Sequence, residues 1–158
     1  MILEPIYRRA LEIIKGSVLD LGCGSGEFAS MVKYRYCGID KNPLKIESAK
    51  QLNPGKRFLC MDALSAPRYF KYFDYITAFE FLEHIYFDIE LINMMPIGQK
   101  FIFSVPNYWS KNHVRVYDEE IIRERYMWSL DIKFIEEFVI YKRIIDSNII
   151  YLCYARKL

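Results

Sequence analysis

Acidic residues recur at near-regular intervals through the first half of this chain: Asp20, Asp40, Asp62 and Glu80. Each sits in or directly after a short β-prone apolar run. These runs are Val18 to Leu21, Tyr36 to Ile39, Arg57 to Met61 and Asp74 to Phe79. A carboxylate at the end of a buried strand can accept hydrogen bonds from the hydroxyl and amine groups of a ligand. Glu80 also opens a second group. Glu80, Glu83 and His84 stand at i, i+3 and i+4, so they share a face if their turn is helical. A further apolar run, Lys100 to Val105, is closed by Pro106-Asn107 and leads on to His113. Carboxylates and imidazoles are the side chains that move protons. The same set can hold a divalent cation.

The elements that must position these groups can be read from the pattern around them. Val18, Leu19 and Leu21 form a buried strand that runs into the glycine turn Gly22-Cys23-Gly24-Ser25-Gly26. Its G-x-G-x-G spacing differs from the G-x-G-x-x-G that seats a pyrophosphate. Asp20 at the strand mouth would repel phosphate and attract an ammonium, so a ligand with a cationic end and no phosphate fits. Ser25 is expected to cap a helix pinned to the core by Phe28, Met31 and Val32.

Residues 1–15 read as a helix, with Ile6, Ala10, Ile13 and Ile14 at helical spacing and Gly16 as its stop. Asn42-Pro43 starts another through Ala49, broken by Asn53-Pro54-Gly55. Tyr86 to Met95 and a segment capped by Asp118 through Tyr126 complete the helices. Ile132 to Tyr141 and Ile149 to Ala155 read as strands around a turn at Asp146-Ser147-Asn148. Strands alternating with helices predict a doubly wound α/β domain, a mostly parallel sheet covered on both faces. The closing pair should form an antiparallel hairpin on one edge. In such sheets ligands sit beyond the carboxyl ends of the strands, which is where the acids fall.

With 158 residues the chain is expected to form one domain spanning 1–158. A net charge of +2 does not indicate nucleic-acid binding. Its four cysteines show no C-x-x-C spacing and read as reduced thiols. No stretch has the layout of a signal peptide, and no apolar run could span a bilayer. A cytoplasmic location is therefore expected.

The stretch Val18-Leu-Asp-Leu-Gly-Cys-Gly-Ser-Gly26 resembles the first motif of class I S-adenosylmethionine-dependent methyltransferases, and the terminal hairpin extends the likeness over nearly the whole chain. The resemblance implies a Rossmann-like seven-stranded mixed sheet in the order 3-2-1-4-5-7-6. It implies S-adenosylmethionine as cofactor and S-adenosylhomocysteine as product. Asp20 would then sit near the methionyl amino group, and Asp40 would accept both ribose hydroxyls. Asp62 would accept from the adenine amine, with the Ala63 N–H facing a ring nitrogen. The full set so implied is Asp20, Gly22, Cys23, Gly24, Gly26, Asp40, Lys41, Asp62, Ala63, Glu80 and Phe81, with Phe79 to Phe81 as a wall.

On the acceptor side, Glu80-Phe-Leu-Glu83-His84 resembles the E-x-x-E-H segment of many small-molecule O-methyltransferases, and Ser104-Val-Pro-Asn107 with His113 fits the same group. Glu80, His84 and His113 are thus the expected catalytic residues. The acceptor is expected to be an oxygen of a small molecule, lipid or glycan. Glu80, Glu83, His84 and His113 also resemble the metal site of enzymes that 2′-O-methylate small-RNA 3′ ends. E-x-x-E-H is, however, widespread in methyltransferases without a metal, so no metal is expected. A cofactor-binding protein without catalysis is the third alternative. Lys111 and Arg115 with Tyr108 and Trp109 form a basic, aromatic loop that could meet a ring, a phosphate or a head group. Little of the chain could serve as a lid. The site is therefore expected to be open, with an acceptor larger than a free metabolite or a second subunit, as in a homodimer, covering it. Ile2, Leu3, Ile6, Tyr7 and the Tyr108–Trp109 loop are the expected contact surfaces.

Overall fold

The computed structural model of the protein describes residues 2–142 and 147–158. The strands are β1 (Val18–Leu21), β2 (Tyr36–Asp40), β3 (Arg57–Cys60), β4 (Tyr75–Phe79), β5 (Lys100–Pro106), β6 (Leu130–Lys142) and β7 (Ser147–Lys157). They form one sheet in the order β3-β2-β1-β4-β5-β7-β6, as the resemblance implied. β1 to β5 run parallel, and β7 lies antiparallel between β5 and β6. The helices are α1 (Glu4–Ile13), α2 (Pro43–Leu52), α3 (Pro67–Phe70), α4 (Asp88–Asn93) and α5 (Glu119–Tyr126).

Alternation along each strand divides the core in two. Leu19, Ile76, Ala78, Phe101, Phe103 and Cys153 face one side, where Phe70 of α3, Leu91 of α4 and Ile122 of α5 cover them. Val18, Tyr75, Phe79, Ile102 and Leu152 face the other, under Ile6, Tyr7 and Ala10 of α1 and Ile46 of α2. Helices on both faces leave the strand ends free to carry a site.

Four elements depart from the expected reading. The glycine turn does not launch a full helix; only a 3₁₀ turn, Ala29–Met31, forms, and Phe28, not Ser25, holds its N-cap position. Phe28, Ala29 and Val32 are all buried within that short link, and Val32 is already extended, so the chain turns back to β2 before a second helical turn can form. The N-terminal helix ends at Ile13, because Ile14 is extended and buried in the core. The fourth helix begins at Asp88 instead of Tyr86, since the backbone before it is given to a 3₁₀ turn, Leu82–His84. Ser147 and Asn148, expected in a turn, belong to β7, where they pair with Lys142 and Tyr141, and Asp146 lies outside the described residues. Asn42 and Asp118 cap α2 and α5 as expected, accepting from Leu44 and Lys45 N–H and from Ile121 N–H. No helix among the described residues is long and apolar enough to cross a membrane.

Candidate functional site

At the carboxyl end of the sheet lies a cavity of about 470 Å³. Gly22, Asp40, Lys41, Asp62, Ala63, Glu80, Phe81 and His84 line it, together with Asn112 and the exposed Tyr86. Strand register explains the convergence. Leu21 pairs with Ile39 and Asp40 with Cys60, so the turns after β1, β2 and β3 leave the sheet side by side. The N–H groups of Gly22 and Cys23 both donate to the Ile39 carbonyl, at 2.8 and 3.0 Å, which holds the glycine turn over β2. Gly24 N–H then donates to Asp40 Oδ2 at 3.0 Å, and Asn42 N–H to Oδ1 at 2.8 Å. Asp40 thus has both oxygens oriented by backbone donors, with further lone pairs to spare.

Gly22 has φ +71, and a Cβ there would lie 2.4 Å from Cδ2 of Phe81. The Phe81 ring therefore presses against bare backbone, and both residues wall the cavity. Asp62 uses Oδ1 to cap the turn after β3, accepting from Leu64 N–H at 2.8 Å.

Other expected cofactor residues stand back from the cavity. Asp20 is buried beneath the turn, where Tyr36 Oη donates to one carboxylate oxygen at 2.6 Å and Thr77 Oγ1 to the other at 2.7 Å. Burial pushes its pKa up to about 6, against the opposing effect of those two hydrogen bonds. Cys23 and Gly26 shape the turn from behind, and Gly26 is tied to α2 by Asn53 Nδ2 donating to its carbonyl. Phe79 faces the α1 side, packed on Tyr7 and Phe28.

Asp20 supplies a pH test. A raised folded-state pKa means that stability present below about pH 4 is lost as pH rises through about 6. The Asp20→Asn variant escapes that loss. Its stability relative to the natural protein, from urea unfolding, should rise by on the order of 3 kcal/mol between pH 4 and pH 7. A difference that stays constant with pH would contradict a desolvated Asp20.

The acceptor-side group converges on the 3₁₀ turn that follows β4. Glu80 adopts φ +46, a left-handed conformation that costs a non-glycine residue about 1–3 kcal/mol. It is locked there by Ser104 of β5. Glu80 N–H donates to Ser104 Oγ at 3.0 Å, and that hydroxyl donates back to Glu80 Oε1 at 3.0 Å. Burial raises the Glu80 pKa to about 7. Glu83 is fully buried, and neither carboxylate oxygen has a hydrogen-bond partner among the described residues. Burial and then the neighbouring Glu80 charge push its pKa to about 9.

His84 Nδ1 bonds the Asn112 carbonyl and His113 Nδ1 the Tyr108 carbonyl, each at 3.0 Å. The two rings meet edge to face with centroids 4.9 Å apart. Burial holds the His113 pKa below its ordinary value. One donor atom from each of Glu83, His84 and His113 falls within 4.8 Å of the others.

The loop carrying His113 is stitched to this turn. Val114 N–H donates to the Glu83 carbonyl at 2.7 Å, while Arg115 Nη1 donates to the Leu82 and Ile85 carbonyls at 3.0 and 2.7 Å. Arg115 is therefore no free cation for a phosphate or head group; it points inward, 3.1 Å from Asp88. Asn107 also turns inward, bonding Ser147 O and Ile149 N–H of β7. Ile6 and Tyr7, expected to meet an acceptor, are core residues of α1, whereas Ile2 and Trp109 are exposed. Sequence reasoning missed Met61, Ile85, Tyr86, Phe87 and Asn112 as cavity residues. Met61 was within reach of it, as the residue before a strand-end acid. Asn112 carried no signal, because only the folded loop brings it to His84.

A family model described as a methyltransferase domain matches residues 4–123. Among solved structures, a methyltransferase from Archaeoglobus fulgidus is 20% identical, with 98% of this chain and 94% of that chain covered and a TM-score of 0.71. The N-methyltransferase NodS of Bradyrhizobium japonicum WM9, solved with S-adenosylhomocysteine, is 17% identical over 99% of this chain and 87% of its own, with a TM-score of 0.72. A Haloferax volcanii methyltransferase in complex with a methyltransferase activator is 15% identical, covering 94% and 87%, with a TM-score of 0.74. Likeness at these identities shows the fold. No curated protein matches the sequence. The family match, on a sheet of this order with a glycine turn facing strand-end acids, assigns the chain to the class I methyltransferases that use S-adenosylmethionine.

Proposed function

We propose that the protein moves the methyl group of S-adenosylmethionine to an oxygen of a small-molecule, lipid or glycan acceptor. The cofactor supplies a methyl made electrophilic by its sulfonium. The cavity suits that cofactor, because Gly22 lets the Phe81 ring pack against the turn as a wall and the carboxylates of Asp40 and Asp62 stand among the lining residues. Asp40 would accept the ribose hydroxyls, and Asp62 with the Ala63 N–H would frame the adenine. Gly22, Lys41 and Phe81 would line the remainder, and Gly24 would steady Asp40 through its N–H. Asp20, set behind the turn, would act on the methionyl end through the backbone it holds.

The observation that carries an oxygen acceptor is Glu80. A neutral amine attacks with its own lone pair, but a hydroxyl is a poor nucleophile until a base takes its proton. Glu80 lines the cavity with its carboxyl pKa raised by burial, which makes it a stronger base than a solvated carboxylate, and Ser104 fixes the carboxylate's direction. His84 and His113 stand beside it and would orient the acceptor oxygen. Much of the remaining catalysis comes from holding the acceptor in line. The exposed Tyr86, His84 and Asn112 form an uncovered mouth, which suits an acceptor larger than a free metabolite or one covered by a second subunit.

Incubation with cofactor carrying a ¹³C-methyl group, separately with extracted metabolites, lipids, glycans and RNA, tests this reading. Label is expected as an O-methyl carbon resonance in one of the first three fractions. An N- or C-methyl product, transfer confined to RNA, or bound cofactor without transfer to any fraction would overturn it.

A further inference from the structure

Glu83, His84 and His113 form a group made of acceptors. Each imidazole has its Nδ1 against a backbone carbonyl, Asn112 O for His84 and Tyr108 O for His113, both at 3.0 Å. A carbonyl only accepts, so Nδ1 carries the hydrogen in both rings, and in the neutral imidazole Nε2 is then the nitrogen with a lone pair to give a metal. His84 Nε2 lies 3.8 Å from Glu83 Oε1, too far for a hydrogen bond between them. Glu83 is fully buried with both oxygens unpartnered among the described residues, and Arg115, a nearby cation, turns its Nη1 to Leu82 O, Ile85 O and Asp88. The large majority of buried side-chain polar atoms in folded proteins have a partner, so a buried carboxyl group left without one, beside two imidazoles, is a place that a cation would satisfy.

We propose that Glu83, His84 and His113 bind one divalent transition-metal ion at the acceptor end of the cavity. Two neutral imidazoles and a carboxylate suit zinc, cobalt, iron or manganese better than calcium or magnesium. The outward bond from each Nδ1–H to a carbonyl is the support that metal-bound histidines carry, fixing tautomer and ring direction. Donor atoms within 4.8 Å of one another need only small side-chain rotations to reach an ion at about 2.1 Å from each nitrogen. Three protein ligands would leave further positions on the ion open, and His84 is part of the cavity wall. A hydroxyl acceptor bound at an open position loses its proton more readily, and Glu80 is placed to take it. This deepens the reading of an oxygen acceptor given above and rests on it.

The test uses the full chain, stripped with chelator and titrated with Co²⁺ and with Zn²⁺ in a calorimeter, with the cobalt absorption spectrum recorded alongside. One ion per chain is expected, with visible ligand-field bands for cobalt. Glu83→Gln and His113→Ala should each weaken it on the order of 100-fold or more, beyond the 10–100-fold that losing a supporting partner costs. Circular dichroism and titration with S-adenosylhomocysteine check that each variant is folded. The glutamine variant, which keeps the shape of the buried side chain and stays neutral at any pH, is expected to fold at least as well as the natural chain. Absence of cobalt bands, or equal cobalt affinity in the natural chain and both folded variants, would overturn the metal site. If S-adenosylhomocysteine still binds in that case, the cofactor assignment stands and the metal alone fails.

Discussion

Replacing Asp88 by Ala should destabilise the protein by about 3 kcal/mol. Asp88 is fully buried at the start of α4. Arg125 of α5 grips it with two bonds of 2.7 Å, Tyr126 Oη donates at 2.7 Å, and Arg115 Nη1 stands 3.1 Å away. Burial alone would raise its pKa; the Arg125 and Tyr126 bonds and the arginine charges overcome that and hold it below the ordinary value. Alanine leaves two partly buried guanidinium groups and a buried phenol without their common acceptor. Breaking a buried pair from one side typically costs 3–5 kcal/mol, and the partial exposure of both arginines places this case at the lower end. For a chain of this length that is roughly 6–12 °C in Tm. Urea unfolding that shows a loss below about 1 kcal/mol would mean that water satisfies the arginines. Asp88→Asn should cost less, since an amide oxygen still accepts from one partner. The same cluster anchors Arg115, so the alanine variant should also loosen the loop that presents His113.

The second large effect concerns the cofactor. Asp40→Ala should weaken S-adenosylhomocysteine binding by about 10–100-fold, the 1.5–3 kcal/mol expected for hydrogen bonds to a charged group. Two losses combine there. The variant removes the carboxylate that would receive the ribose hydroxyls. It also releases Gly24 N–H, whose bond to Oδ2 steadies the glycine turn. Stability should change little, because Asp40 stands at the cavity rim, where water can replace it at both backbone donors.

Much of this was legible in the sequence. Parallel strands buried on both faces read as short apolar runs, and acids at their ends are conspicuous because burial excludes them elsewhere. That is why Asp40, Asp62 and Glu80 could be assigned to a cavity before any coordinates. The same rule failed for Asp20. Its position one residue inside β1 points the side chain below the turn, and the two hydroxyls that receive it, Tyr36 and Thr77, come from β2 and β4. Only the sheet order joins them.

His113 shows the opposite case. Its role was suspected from residue type, yet its place against His84 depends on Arg115, Val114 and Asp88, contacts spread over more than 30 residues of sequence. Arg115 read as a surface cation for the same reason, since nothing local reveals the carbonyls and the buried carboxylate that draw it inward. The helix expected after the glycine turn failed on length, as burial of Phe28, Ala29 and Val32 in one short link leaves no room for a second turn. The positive φ of Glu80 had no signal at all, because glutamate rarely adopts it and Ser104, which holds it there, lies on the next strand.

Calorimetric titration of the natural chain and of Asp40→Ala with S-adenosylhomocysteine tests the central claim most directly, that the cofactor lies across the glycine turn and the acids at the strand ends. One molecule bound per natural chain and an affinity lower by about 10–100-fold in the folded variant is the expected result. Equal affinity in the two proteins, or no binding to the folded natural chain, would contradict it.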